Sequence, residues 1–434
     1  MRRRDGDGAR LGAATKREAL YSPRLLLLAL TVGVSFMGVG FVLPLRAIYG
    51  QQLGASAFEI GLMASAALLS GFITAPGIGW LADRVGQRRV LWIGLLAHGV
   101  LVLAYIPARS PVALIGLRAL EGIAIVGIAP PARALMNGLA PRSRQGEALG
   151  ILSSAQMVGL MLGPALGTLL ASQVGYGTAF LVAAAPLFVG ALLARLFLPA
   201  HVAVGEVVGE RGGDAPVRAR GAVFSPQLRL TYALSATIAL TQGVISALWA
   251  IYMLMRGASL ELIGLSYTVY AVIALVLAPL SGRFSDRRGR YRPILVSLVI
   301  YAAIYCAYAL PVSAIWLVSL SATEGIAGGI VRSALDGLLA DVTPLALRGR
   351  VQANYTAAST GGAFVMAALA GVLYGVSPGL PFAVVGLAFF AACAGLLIPT
   401  VRRLFPEHTG LARRDEAEEA LAGSVEVVVA RGGE

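Results

Sequence analysis

The stretch Gly79-Trp80-Leu81-Ala82-Asp83-Arg84-Val85-Gly86-Gln87-Arg88-Arg89 lies between two long apolar runs. It reads as a short charged hairpin joining two membrane helices. The same string returns as Gly282-Arg283-Phe284-Ser285-Asp286-Arg287-Arg288-Gly289-Arg290-Tyr291-Arg292, shifted by 203 positions (83 to 286), close to half the chain. A hydrophobic chain that carries one charged hairpin twice, half a length apart, is a duplicated membrane protein.

Composition supports this reading. Of the 434 residues 57% are hydrophobic and 13% charged, about half the charged share of a soluble domain. Several runs exceed the roughly 20 apolar residues that cross a bilayer. The net charge of +13 does not indicate nucleic acid, because the arginines fall in loops between spans and not on one soluble face. Cys306 and Cys393 both lie inside apolar runs, where they read as small buried hydrophobes, neither a disulfide framework nor a metal site. The first apolar run is too long for a cleavable signal peptide, and no small-residue cleavage site follows it.

In chain order, residues 1–23 form a basic tail, and spans follow at roughly 24–48, 58–81, 90–108, 112–134, 148–171 and 177–198. A polar linker at 199–226 precedes six more spans, roughly 227–254, 260–281, 293–310, 314–339, 351–375 and 381–398, within a second half that ends near 400. The segment 401–434 reads as a second tail. Arg84, Arg88, Arg89, Arg142, Arg144, Arg287, Arg288, Arg290 and Arg348 fall in the gaps on one side, while the opposite gaps offer Arg46, Arg109 and Arg256. The positive-inside rule then places both termini, the linker and the hairpins in the cytoplasm, in a plasma or inner membrane.

The repeat extends well past the hairpin without a gap. Gly54-Ala55-Ser56 aligns with Gly257-Ala258-Ser259, Ile60-Gly61-Leu62 with Ile263-Gly264-Leu265, and Ala75-Pro76 with Ala278-Pro279. Glu121-Gly122 aligns with Glu324-Gly325, and Pro141 with Pro344. The expected fold is an all-α membrane protein, with 12 transmembrane helices in two pseudo-symmetric six-helix bundles. Parallel repeats of this kind hold a substrate path at their interface and rock one half against the other.

The residues carry a family resemblance. Gly79-x-Leu81-Ala82-Asp83-Arg84-x-Gly86-x-Arg88 resembles the signature between helices two and three of the major facilitator superfamily, whose degenerate copy falls between helices eight and nine. Arg118-x-x-Glu121-Gly122 resembles its fourth-helix motif. Gly159-x-x-x-Gly163-Pro164-x-x-Gly167 resembles the fifth-helix motif of its proton-coupled antiporters, so the chain looks like the 12-helix drug:proton branch. Two departures stand out: Gln87 replaces a basic residue, and the first span has no Asp or Glu. The resemblance implies that Gly79, Asp83, Arg84, Gly86 and Arg88, with Asp286, Arg287 and Gly289 in the second copy, form a latch that locks the bundles on the cytoplasmic side when the path opens outward. A hairpin that only fixes topology is the plainer alternative.

Arg118 and Glu121 are the sharpest intramembrane feature. A charge at mid-membrane costs roughly 2.5–3.5 kcal/mol, and the i, i+3 spacing lets the two neutralise each other. The pair reads either as packing for the first half or as a proton-coupling site in which Arg118 modulates Glu121. Glu324 is the repeat counterpart of Glu121, with Ser321 where Arg118 would stand. A membrane carboxylate with no adjacent cation is more readily protonated, which makes Glu324 a second proton candidate. Gly159, Gly163 and Gly167 recur every fourth residue and let a neighbouring helix approach, while Pro164 removes a backbone bond. A hinge that limits leak follows from the resemblance alone.

His98 reads as a hydrogen-bonded bystander. Gln156, Gln242, Trp249, Tyr252, Tyr267 and Tyr270 are candidates to line a cavity, with Gln242 and Tyr270 the expected substrate contacts. No Walker-type loop, metal cluster or nucleophile–base constellation occurs in the sequence. The expected protein is a non-enzymatic secondary transporter, active as a monomer, with no cofactor. It is driven by an ion gradient, of protons as the antiporter resemblance implies, and exports a small drug-like or amphipathic compound. Two alternatives stay open: a sugar or other metabolite exporter or importer of the same fold, and a sensor or lipid-handling membrane protein.

Overall fold

The computed structural model describes residues 22–141, 144–199, 223–344 and 347–405, with the backbone alone at 278–279, 282–284 and 286–288. Most of the two tails and of the linker at 199–226 therefore lies outside the described residues, as do the side chains of Asp286 and Arg287.

The described residues contain 12 helices long and apolar enough to cross a membrane. In order they are Pro23–Gln52, Ala57–Val85, Gln87–Ala104, Pro111–Leu139, Gln145–Val174, Tyr176–Phe197, Pro226–Met255, Leu260–Leu277, Tyr291–Ala309, Ala314–Val342, Arg348–Val376 and Leu380–Leu397. We call them the first to twelfth spans. Those of about 30 residues rise about 45 Å, more than a bilayer's hydrocarbon core, so they project beyond it or tilt.

The breaks follow local chemistry. The first span is two helices meeting at Val42, just before Pro44, and the fourth breaks at Gly127–Ile128, just before Pro130 and Pro131. Pro removes a backbone donor and clashes with the turn before it, so the helix restarts there. Ser56 opens the second span with a capping box: its hydroxyl accepts from the Glu59 amide at 3.2 Å, and the Glu59 carboxylate accepts from the Ser56 amide at 2.8 Å. The hairpin is tighter than the sequence suggests. Helix runs through Asp83 and Arg84 to Val85, turns at Gly86 alone, and resumes at Gln87. Gly86 has φ 95°, and its repeat counterpart Gly289 has φ 82°, a region in which an L side chain is strained.

Packing obeys the repeat. In the first bundle the first span lies on the fifth and sixth, the second on the fourth, and the third on the fourth and sixth. In the second bundle the seventh lies on the eleventh and twelfth, the eighth on the tenth, and the ninth on the tenth and twelfth. Moving six spans along the chain maps one set onto the other. Many large apolar side chains stay exposed, among them Ile73, Val112, Ile315, Trp316 and Val376, as expected of surfaces that face lipid.

The bundles join along two main seams, second span to eleventh and fifth to eighth, with smaller contacts of the seventh span on the first and second. At one, a Cβ on Gly61 would lie 2.9 Å from the Ala367 carbonyl and 3.0 Å from the Gly371 amide. At the other, a Cβ on Gly264 would lie 2.9 Å from the Pro164 carbonyl and against the Thr168 hydroxyl. Each of these residues is related to its counterpart by the 203-position shift. Both contacts lie at the ends of the spans far from the hairpins. At the hairpin end the described side-chain hydrogen bonds stay within one bundle, for example Arg88 Nη1 to the Leu198 carbonyl at 2.8 Å. The central cleft is thus closed at the far end.

Candidate functional site

Glu121 lies buried in the first bundle with its carboxylate ringed by donors. Arg118 Nη1 donates to its Oε2 at 2.6 Å, so the i, i+3 pair read from the sequence is formed. Arg46 Nη2 donates to Oε1 at 3.1 Å, and the Tyr105 hydroxyl donates to Oε2 at 3.1 Å. His98 Nε2 stands 4.0 Å from Oε1. Four elements meet here: the second helix of the first span, the third span, the turn that follows it, and the fourth span.

Two sequence readings need correction. Arg46 is not a loop arginine: it sits inside helix Leu43–Gln52, 6% exposed. The helix restarts at Pro44 and carries Arg46 back into the bundle. His98 is not the hydrogen-bonded bystander expected: it lies beside Glu121, and neither of its ring nitrogens has a hydrogen-bond partner.

Glu324 occupies the same place in the second bundle, also buried. The Tyr305 hydroxyl donates to its Oε1 at 2.8 Å and the Tyr308 hydroxyl to its Oε2 at 3.0 Å. Ser321 Oγ lies 3.3 Å from the Tyr308 hydroxyl. The repeat shift aligns Arg46 with Trp249, His98 with Tyr301, Tyr105 with Tyr308 and Arg118 with Ser321. Every cationic or titratable base around Glu121 is thus an aromatic or a hydroxyl around Glu324, while the acid and one tyrosine are kept.

Trp249 and Tyr252 do not line a cavity. Both are buried, Trp249 donating to Ser266 Oγ at 2.9 Å and stacking edge-on to Tyr308, and Tyr252 donating to the Tyr308 carbonyl. Together with Phe382 they fill the second bundle's interior, as aromatics with a polar handle do when a partner is in reach. Gln156 is likewise buried. Tyr270 packs on the tenth span, where its carbonyl faces Gly325 and its hydroxyl and that of Tyr301 face Gly328. This places it one layer from Glu324. Gln242 is exposed on the seventh span and is brought to neither carboxylate.

The fifth-span glycines form a helix seam within the first bundle. A Cβ on Gly163 would lie 2.6 Å from both the Met37 carbonyl and the Phe41 amide, and Gly159 and Gly167 press on the backbone at Gly33 and Phe41. Pro164 lies inside that helix without ending it. In the hairpin, Asp83 accepts from Gln87 Nε2 at 3.1 Å, and Arg84 lies over the Trp80 ring. An added Cβ at Gly79 would meet nothing within 4 Å. At the second copy Arg290, the counterpart of Gln87, donates to Asp341 at 2.9 Å and to Ser285 at 3.1 Å.

A family model described as the Major Facilitator Superfamily matches residues 25–255 and 231–430. Multidrug resistance protein MdtG of Salmonella paratyphi A is 29% identical over 335 residues, 74% of this chain and 81% of its own length. A multi-drug resistance efflux pump PmrA homolog of Lactococcus lactis is 28% identical over 323 residues, 72% of this chain and 79% of its own. Among solved structures, the nucleoside transporter NupG superposes with TM-score 0.71 at 13% identity, covering 89% of this chain and 100% of its own. A bacterial homolog of the lysosomal transporter Spinster superposes with TM-score 0.68 at 17% identity, covering 88% and 96%. These two show the fold alone. The matches span both bundles and describe transporters, not enzymes. With its duplicated hairpin and its mirrored six-span bundles, the chain belongs to the Major Facilitator Superfamily of multi-pass membrane transporters.

Proposed function

We propose that the protein is a proton-coupled exporter of small amphipathic compounds that works by alternating access. The observation that carries this reading is the pair of buried membrane carboxylates at equivalent places in the two bundles, only one of which is met by cations. Glu121 has fixed countercharges in Arg46 and Arg118. Glu324 has hydroxyls alone. A hydroxyl donates to a carboxylate and accepts from a carboxylic acid, so Glu324 keeps its partners whether or not it carries a proton. That is what a site must do to load and unload a proton without unfolding its surroundings. Arg118 and Glu121 act as the partner site, whose ion pair is rearranged when the bundles rock.

In this scheme the described conformation has the cleft closed at the far end, and the hairpins mark the cytoplasmic face. The latch of Asp83 and Arg88 engages only after the bundles swing together at that face. The efflux direction and the drug-like substrate are supported by the 28–29% identity to proteins named as multidrug resistance transporters. A single chain holds both carboxylates and both seams, which supports action as a monomer with no cofactor.

The test is transport of ethidium by the purified full chain in proteoliposomes with an imposed pH gradient. The gradient should speed transport at least tenfold. Glu324→Gln should erase that response while leaving ethidium exchange in place. If Glu121→Gln and Glu324→Gln both keep gradient-driven transport, the coupling assignment is wrong.

A further inference from the structure

A small cavity of about 20 Å³ lies between the bundles just inside the far-end closure, with room for one small polar group. It is lined by Arg46 and Arg118, by Ser246 of the opposite bundle, and by Ile60, Met63 and Ala64. Its charge is unbalanced. Arginine stays protonated in proteins, so Arg46 and Arg118 bring two positive charges. Glu121 removes at most one, and His98 adds none or one more. The cluster therefore keeps at least one excess positive charge in any protonation state of Glu121 and His98. Arg46 Nε is buried and has no hydrogen-bond partner, and no carboxylate other than Glu121 contacts either guanidinium among the described residues. An unmatched buried cation is costly in an apolar interior, and a carboxylate, sulfonate or phosphate is the group a guanidinium fork matches.

We propose that this cavity is a binding site for the acidic group of an organic anion, whose apolar body extends out of the cavity into the cleft. The proposal rests on the transport reading above and adds to it a subsite that favours compounds carrying an acid. Ser246 supplies a hydroxyl from the second bundle, so the bound anion touches both moving halves. The anion completes the charge balance that Glu121 leaves unfinished, and it is held where the cleft changes the side to which it opens.

The experiment compares three probes with one fluorophore and different charge: dansylglycine, dansyl amide and dansylcadaverine. Binding is measured without any gradient, by fluorescence, to the full chain in phosphatidylcholine nanodiscs, with empty discs as the blank. Dansylglycine should bind at least tenfold more tightly than the other two. Arg46→Gln should weaken dansylglycine at least tenfold and dansyl amide less than twofold. Should that variant fail to fold, Ser246→Asp places a competing acid at the cavity wall with Arg46, Arg118 and Glu121 intact, and it should weaken dansylglycine alone by the same factor. Equal affinity for the three probes, tighter binding of dansylcadaverine, or unchanged dansylglycine binding in the variant would overturn the proposal. Displacement of dansylglycine by phosphatidylglycerol added to the discs would also overturn it, since the occupant would then be a lipid. Gradient-driven ethidium transport without selective dansylglycine binding defeats this proposal and leaves the exporter reading intact. Selective binding without gradient-driven transport does the reverse.

Discussion

The two bundles answer one problem in opposite ways. Each keeps a glutamate in the middle of a membrane helix, and each keeps a tyrosine at the same repeat position, Tyr105 beside Glu121 and Tyr308 beside Glu324. The first bundle then adds Arg46 and Arg118, and the second adds Tyr305 and a hydroxyl at Ser321. Fixed charges make Glu121 a member of an ion cluster in the described conformation. Glu324 meets neutral donors, which in the exporter reading lets it take up and release a proton. The difference shows that a duplicated fold can alter what surrounds a shared acid and leave the acid itself in place; in the exporter reading that divides the labour between the two sites.

The largest effect that tests this contrast is on stability. Glu121→Gln leaves two buried guanidiniums without their counterion and should cost about 3–5 kcal/mol, read as a much lower unfolding midpoint of the purified protein in detergent. Glu324→Gln keeps an oxygen for the tyrosine hydroxyls and should cost no more than about 1.5 kcal/mol. Equal losses would mean that the two sites do the same job. Next comes a transplant. Ser321→Arg gives Glu324 a cation at the i−3 position that Arg118 holds for Glu121. It should cut gradient-driven transport at least tenfold, a change of about 1.4 kcal/mol, while binding of the transported compound persists. Unimpaired driven transport in that variant would show that the missing cation is irrelevant. Smaller again are Tyr305→Phe and Tyr308→Phe, each of which removes one donor from Glu324 and should cost about 0.5–1.5 kcal/mol in the same unfolding assay. The smallest is Arg88→Gln, which gives up a partly exposed bond to the Leu198 carbonyl. In the described conformation it should move the unfolding midpoint by less than about 1 kcal/mol, even though the latch reading expects it to slow the swing between states.

Much of the fold was legible. The doubled hairpin, the paired glycines and prolines at one spacing, and the asymmetric arginines specify twelve spans in two halves before any contact is known. Gly86 and Gly289 both turn out to need positive φ, which is why that residue recurs. The Arg118–Glu121 pair was equally legible, because i, i+3 spacing on a helix guarantees reach. Arg46, His98 and Tyr105 were not, since they come from other helices and meet Glu121 only through bundle packing. Arg46 misleads in particular: Pro44 ahead of it and Tyr49 after it resemble the end of a span. A signal was present all the same. Extending the 203-position shift back to the first span sets Arg46 against Trp249 and Tyr105 against Tyr308, which marks both as members of a shared layer. Tyr305 has no such signal, because its counterpart is Val102. The aromatic residues Trp249 and Tyr252 pointed to a cavity and proved to be core, because a periodic pattern does not distinguish a face turned to the cleft from one turned to the bundle interior.

The seams at Gly61 and Gly264 bear on the work needed to move. Both are contacts in which one span's glycine lies against another span's main chain, and the described side-chain bonds across them are few: the Thr268 hydroxyl to the Met161 carbonyl at 2.8 Å, and Ser172 with Glu261. Among the described residues, parting them breaks no ion pair and strands few polar groups. In the exporter reading proposed above, an unloaded carrier closed in this manner resets without fuel, and a gradient has only to bias a swing that thermal motion already supplies.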